Sequence, residues 1–406
     1  MATLQNIKGF RDYLPKDALK RQVLISKISQ LMAKFGFDPL ETPTLEYAKT
    51  LAGKYGEEEK LIYKFTTPGG DEVALKYDQT VPLARVIAQY GPNGQQQLPI
   101  PFKRYQIQSA FRGENTQKGR YREFLQCDAD IIGSNSLVAD SEILALVYEI
   151  YREIGLEIII KINDREELRD IPAKQLSSID KLSKIGRDGV LNELGNRGLT
   201  TQDATKLLDR IANLKPSDNL TTIINFFTEM GYPKAALEFD PTLIRGLDYY
   251  TGLILEVVLK SDPNSSSLAG GGRWDKMIGQ FTGKDLPAVG FAIGVDRTIE
   301  AMEEAGISDT KLTSAKVLVT VFSMELGQVS IETANKLRQS DINTELWLDA
   351  ETKLDKQLKY ADQKGISYVI IIGPEEVEKK MITLKDLKNN SQQTVSLIEA
   401  IQQLKP

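Results

Sequence analysis

The sequence predicts an α+β protein: a strand-rich core, interrupted by a helical insertion and followed by a separate α/β domain. Three observations carry this. Strand-like runs recur between residues 61 and 132 and return after residue 252, interleaved with amphipathic helices. Residues 163–240 are rich in Leu, Asp, Lys and Ser at helical spacing, with glycine stops and no long β-branched run. Residues 315–406 alternate strand and helix, the pattern of a largely parallel or mixed sheet.

In chain order, residues 16–35 form the first amphipathic helix, with Leu24, Ile28, Leu31, Met32 and Phe35 on one face and Gly36 as the stop. Asp38, Pro39 and Pro43 then break the pattern before a short segment, Thr44–Tyr47. The runs LIYKF and EVALK flank PGGD, a good hairpin turn. After a Gly/Gln loop at 91–97, IPFKRYQIQSAFR and FLQCDADIIG read as further strands, and Ser141–Ile154 reads as a second helix. Strand signals return in GLILEVVL (252–259), Gly270–Gly272 sits in a strand or tight turn, and Ala288–Ala305 is a strand running into a helix. A break at Gly306–Ser314 precedes KVLVTVF, VSIETANKLRQ, NTELWL, KLDKQLKYADQ and YVIIIG, read as strand, helix, strand, helix and strand.

Composition narrows the chemistry. The 406 residues include 41% hydrophobic and 26% charged side chains, the usage of an ordinary globular protein, and the length suits two or three domains. A net charge of −5 gives no global basic signature, so any polyanion site is a local patch. One cysteine, Cys127, excludes an intrachain disulfide framework and suits a reducing compartment. There is no apolar run of membrane-spanning length and no signal-peptide pattern at MATLQNIKGF, so a soluble cytoplasmic protein is expected, with no membrane partner. The chain contains no histidine. This removes Ser-His-Asp hydrolysis and His-ligated zinc, and leaves acid, base and electrostatic work to Asp, Glu, Lys, Arg and Tyr.

Four segments hold the candidate chemistry. In KRYQIQSAFRGENTQKGRYREFLQCDAD, the cations Lys103, Arg104, Arg112, Lys118, Arg120 and Arg122 cluster around a polar loop between two strand-like runs. Such a loop can aim guanidinium forks at phosphates, with Phe124 placed to stack on a base; a solvated hairpin of mixed charge fits the spacing equally. RGLDYYTG (245–252) sets paired tyrosines beside Arg245 and Asp248, groups that need polar partners when buried, either in a site or at a paired strand edge. AGGGRWD (269–275) permits close backbone approach, to a ligand or to another strand. AVGFAIGVDR (288–297) places Arg297 after a strand–helix junction and is weak alone.

Taken together and in order, these segments resemble the histidyl-tRNA synthetase family along nearly the whole chain. KGFRDYLP resembles the family's opening segment, Pro43 the class II first motif at the dimer interface, FRGENTQKGRYREF the second motif and GVDR the end of the third. RGLDYYTG and AGGGRWD match its two histidine-specific signatures, except that Trp274 stands where tyrosine is usual. The resemblance implies a class II synthetase core with a six-stranded antiparallel sheet and flanking helices over 1–162 and 241–305. It also implies a helical insertion domain over 163–240, an anticodon-binding domain over 315–406 and a homodimer.

The implied reaction is ATP-dependent formation of histidyl-adenylate, then transfer to the 3′ end of tRNA(His), with Mg2+ bridging the ATP phosphates. Arg112 and Arg245 would converge on the α-phosphate and the carboxylate. Arg112, Glu114, Phe124 and Arg297 would hold ATP. Asp78, Thr80 and Gln126 would meet the α-amino group of L-histidine, with Asp130, Tyr249 and Tyr250 around the imidazole and Arg245 on the carboxylate. Gln117, Lys118 and Arg120 would meet the tRNA acceptor end. Asp128 lies two residues from Asp130, so in a regular strand both share a face, and spacing does not settle which reaches the pocket. Residues 315–406 carry 12 Lys/Arg against 13 Asp/Glu, so anticodon binding there rests on the resemblance and not on charge. The alternatives are a non-catalytic paralogue such as the regulatory subunit of ATP phosphoribosyltransferase, and a synthetase-like sensor of uncharged tRNA, although no kinase signature accompanies it.

Overall fold

The computed structural model describes residues 4–116, 119–244, 249–307 and 312–405. The chain forms two compact units, one comprising Met1–Asp12 and Val23–Ser308, the other Tyr13–Gln22 and Asp309–Pro406.

The larger unit is built on an eight-stranded sheet ordered Asp38–Pro39, Phe102–Phe111, Glu123–Ile132, Ala288–Gly294, Ala269–Arg273, Leu253–Leu259, Ile158–Asp164, Leu237–Phe239. The six central strands are all antiparallel to their neighbours, and the two short edge strands pair in parallel. The implied six-stranded antiparallel sheet is therefore present, widened by two edges of two and three residues that are too short to show a period.

Alternation along Glu123–Ile132 explains how this sheet carries both a core and a site. Cys127, Ala129 and Ile131 face an apolar core shared with Leu24, Ile28 and Met32 of the first helix and with the Leu137–Ile154 helix. Gln126, Asp128 and Asp130 take the other face, and all three are buried. The Leu137–Ile154 helix begins four residues earlier than its apolar spacing suggests, because Ser136 accepts from the Val138 amide as N-cap; Gly155, at φ 87°, ends it.

Between residues 165 and 214, three helices (Ala173–Ile179, Leu182–Asn196, Thr201–Ala212) enclose their own small core around Leu176, Ile179, Val190, Leu194, Leu208 and Ile211. The next helix, Asp218–Glu229, instead sends Leu220, Ile223 and Phe227 into the main core. The hairpin of Lys64–Thr66 and Glu72–Leu75 gains a third strand, Leu45–Tyr47.

The smaller unit holds a mixed five-stranded sheet ordered Thr344–Leu346, Val317–Val319, Tyr368–Ile371, Ile382–Asp386, Ser391–Val395, the first three parallel and the last two antiparallel. Its final hairpin escapes apolar periodicity because Ser391–Val395 (SQQTV) is mostly exposed. No described helix is long and apolar enough to cross a membrane.

Candidate active site

Two adjoining cavities open on the polar face of the central strands. Arg112, Gln126, Gly270 and Ala292 line both, so they meet along one seam. The first is further lined by Glu114, Arg120, Tyr121, Phe124, Asp296 and Arg297. The second is lined by Asp78, Thr80, Asp128, Asp130, Tyr249, Tyr250 and Trp274.

The first cavity is a cationic cleft. Arg112 donates from Nε to the Tyr77 carbonyl at 3.1 Å, and its guanidinium lies 4.4 Å from the Tyr77 ring and 5.1 Å from the Phe124 ring. Arg297 is clamped by the carbonyls of Gly119 (3.1 Å) and Ser267 (2.8 Å). Burial, then repulsion from Arg120 and Arg112, lowers the Arg297 pKa. Cations crowded against their own repulsion form a site that an anion would relieve. Glu114 approaches two of them, at 4.0 Å from Arg112 and 3.5 Å from Arg120.

The basic cluster read along 103–122 therefore divides. Arg112 and Arg120 line the cleft, whereas Lys103 pairs with Glu142 at 2.6 Å and Arg122 is tied to the Glu114 and Lys8 carbonyls. Arg104, fully buried, serves the second cavity. Gln117, Lys118 and Arg245 lie outside the described residues.

The second cavity is acidic and aromatic. Asp78 stands just before the Thr80–Tyr90 helix, where its Oδ1 accepts from the Val81 amide (3.2 Å) and from the Tyr55 hydroxyl (2.9 Å). Burial raises the pKa of Asp78 and, more strongly, of Tyr55. The Tyr249 and Tyr250 rings pack 4.8 Å apart. Asp130 is held on both oxygens, Oδ2 at 2.6 Å from Arg104 Nη2 and Oδ1 accepting from Trp274 Nε1 at 3.1 Å. Asp128 and Asp130 lie in a regular antiparallel register opposite Gln106 and Arg104, so they share the pocket face without any bulge. Gly290 makes room for this corner, because a Cβ there would stand 2.0 Å from Asp130 Oδ1.

Several supporting residues carry no sequence signal of their own. Arg11, in the opening KGFRDYLP segment, ion-pairs with Asp296 at 3.0 Å and lies 3.3 Å over the Tyr121 ring. It thus braces two walls of the cationic cleft from behind. Arg273 forks onto Asp140 at 3.0 and 2.5 Å and also donates to the Ser134 carbonyl and Asp275. Asp275 in turn accepts from Thr251, so the two histidine-signature segments are tied together behind the pocket. The only hint in the sequence was that both residues fall inside long motifs.

Comparison with known proteins follows the same lines. A family model described as histidyl-tRNA synthetase matches residues 9–164 and 159–298, and one described as an anticodon binding domain matches 316–406. The chain is 37% identical to a histidine–tRNA ligase of Gloeobacter violaceus, covering 98% of both chains, and 38% identical to one of Aeropyrum pernix, covering 97% and 96%. A crystal structure of histidyl-tRNA synthetase from a Nostoc species superposes with TM-score 0.85 at 30% identity, covering 99% and 100%. With its motifs, its central antiparallel sheet and these matches in agreement along nearly the whole chain, the protein belongs to the histidyl-tRNA synthetase family.

Proposed function

We propose that this chain activates L-histidine with ATP and transfers the histidyl group to the 3′ end of tRNA(His). One observation carries the reading: a cationic cleft and an acidic, aromatic pocket meet along a seam that includes Arg112. A triphosphate in the first and an amino acid in the second would bring the α-phosphate and the carboxylate together beside that guanidinium. Negative charge builds on the α-phosphate as the carboxylate attacks, and a fixed donor there stabilises the transition state more than the ground state.

Arg112 and Arg245 act on the α-phosphate and carboxylate, Arg297 and Arg120 draw in the phosphate tail, and Phe124 with Arg297 sandwiches adenine beside Glu114. Asp78, Thr80 and Gln126 receive the α-amino group, while Asp130, Tyr249 and Tyr250 stand at the imidazole. Gln117, Lys118 and Arg120 meet the acceptor end. Mg2+ would arrive on the ATP phosphates, consistent with its preference for hard oxygen ligands, and among the described residues no cluster of three or more metal-binding side chains offers it a separate seat.

The labour divides between a catalytic core over 1–162 and 241–305, an insertion over 163–240 and an anticodon-reading domain over 315–406. The assembly is a cytoplasmic homodimer through the segment around Pro43. The match over 316–406 and the presence of Arg112, Arg245 and Arg297 favour this over a regulatory paralogue. The test is charging of a tRNA(His) transcript with each amino acid in turn: histidine alone should be attached, and failure with histidine would refute the proposal.

A further inference from the structure

Tyr77, in the KYDQT segment, is fully buried yet lines neither cavity. Its ring packs 4.6 Å from that of Tyr55. A phenylalanine would fill the same space, and a buried hydroxyl is costly unless it is hydrogen-bonded. Here it donates to Glu58 Oε2 at 2.5 Å. Burial, opposed by Arg112 and reinforced by Glu58, raises the Tyr77 pKa, so the hydroxyl keeps its proton and remains the donor. Glu58 is partly exposed, on the short helical turn Gly56–Leu61, and also lies outside both cavity linings.

Tyr77 in turn carries Arg112. Its carbonyl accepts from Arg112 Nε at 3.1 Å, and its ring lies 4.4 Å from the guanidinium. With Nε engaged there, binding an oxyanion falls to the two terminal nitrogens. The contacts close on themselves. The Gly113 amide, next to Arg112, donates at 2.8 Å to the carbonyl of Leu61, the last residue of the turn that holds Glu58.

We propose that Glu58 is a positioning residue for adenylate formation. Through the Tyr77 hydroxyl it fixes the ring and the carbonyl on which Arg112 rests, and so the place of the guanidinium at the seam. The inference rests on the reading of Arg112 as the donor at the α-phosphate.

The test is single-turnover adenylate formation by rapid quench, with a thermal melt of each protein. The set is wild type, Glu58→Ala, Glu58→Gln, Tyr77→Phe, the Glu58→Ala/Tyr77→Phe double variant, Arg112→Ala and Arg112→Ala/Tyr77→Phe. Tyr77→Phe keeps the packing, and water can replace the hydroxyl on the partly exposed Glu58, so the fold should persist. A misplacement of about 1 Å at a reacting centre can cost on the order of 100-fold in rate. Glu58→Ala and Tyr77→Phe should therefore each slow adenylation roughly 10–100-fold, while the apparent affinities for histidine and ATP change by less than about threefold. Glu58→Gln still accepts from the hydroxyl and should recover most of the rate. The Glu58/Tyr77 double variant should be no slower than the slower single, and Tyr77→Phe should add nothing to Arg112→Ala, because all act through one guanidinium.

A slow Arg112→Ala beside unchanged Glu58→Ala and Tyr77→Phe would overturn the assignment while leaving the reading of the seam in place. An unimpaired Arg112→Ala would overturn the reading of the seam and the assignment with it. Defects that multiply in the Glu58/Tyr77 double variant, further slowing of Arg112→Ala by Tyr77→Phe, or a loss in Glu58→Gln as deep as in Glu58→Ala would each overturn the proposal. So would rate losses that simply follow the melting temperature across the set.

Discussion

Arg11→Ala tests whether the opening segment is part of the ATP site or merely lies beside it. The side chain is 33% exposed and its partner Asp296 5%, at 3.0 Å, so the pair falls between two regimes. Exposed ion pairs contribute about 0.2–1 kcal/mol, whereas removing one member of a fully buried pair costs roughly 3–5 kcal/mol. A third of exposure argues for about 1–2 kcal/mol. The guanidinium stacked 3.3 Å over Tyr121 adds about 0.5–1 kcal/mol. Asp296 keeps its second anchor, the Leu125 amide at 3.1 Å, so the wall should loosen without collapsing.

If this loss of about 2 kcal/mol appears in substrate binding, KM for ATP should rise roughly 10–30-fold. KM for histidine should move far less, since Asp296 and Tyr121, which Arg11 braces, line the first cavity and not the second. Arg11→Lys should recover only part, because an ammonium restores charge but not the planar stack. The assay is pyrophosphate exchange over a matrix of ATP and histidine concentrations, with a melt to confirm folding. An unchanged KM for ATP, or equal rises for both substrates, would refute the bracing role.

Three further predictions concern Arg273, Lys76 and Arg245. Arg273→Lys removes the fork onto buried Asp140 and should lower stability by about 2–4 kcal/mol, whereas Arg187→Lys, in a pair exposed on both sides, should cost under about 1 kcal/mol; comparative melts decide this. Burial lowers the Lys76 pKa to about 8 from its ordinary 10.5, so above pH 8 the unfolded chain holds a proton that the folded chain has released. Stability contributed by this site therefore rises from pH 8 towards 10.5, by a few kcal/mol at most, and Lys76→Met should lose that rise; parallel slopes of the two proteins in urea titrations across this range would contradict it. Arg245→Ala should slow adenylate formation on the order of 10²–10³-fold, more than it slows transfer from preformed adenylate, by rapid quench; an equal or larger transfer defect would remove Arg245 from the first step.

Apolar spacing made the long elements legible. The first helix and the strand-to-helix run at 288–305 fall within one or two residues of their expected places, because burial of one face enforces a period. What escaped was fixed by pairing across distance. The edge strands Asp38–Pro39 and Leu237–Phe239 exist only because neighbours offer free edges. Strand order puts Ala288–Gly294 between Glu123–Ile132 and Ala269–Arg273, which nothing local announces.

The final hairpin did leave a trace, since the Asn389-Asn390 turn, with Asn390 at φ 48°, is a local signal that apolar counting ignores. In the site, the motifs pointed to the segments but not to which side chains are free. Arg104 and Arg112 look alike in sequence, yet one is spent on Asp130 and the other faces the seam between the cavities. Asp128 and Asp130 differ in the same way, and only their partners tell them apart.

The central claim is that the two cavities join an amino acid to a nucleotide and that the amino acid is histidine. ATP–pyrophosphate exchange with each of the twenty amino acids, in the absence of tRNA, tests it most directly. Exchange that depends on histidine alone, and that falls sharply in Arg112→Ala, is the result the structure predicts. Exchange driven equally by another amino acid, or none with histidine in a folded, ATP-binding protein, would contradict it.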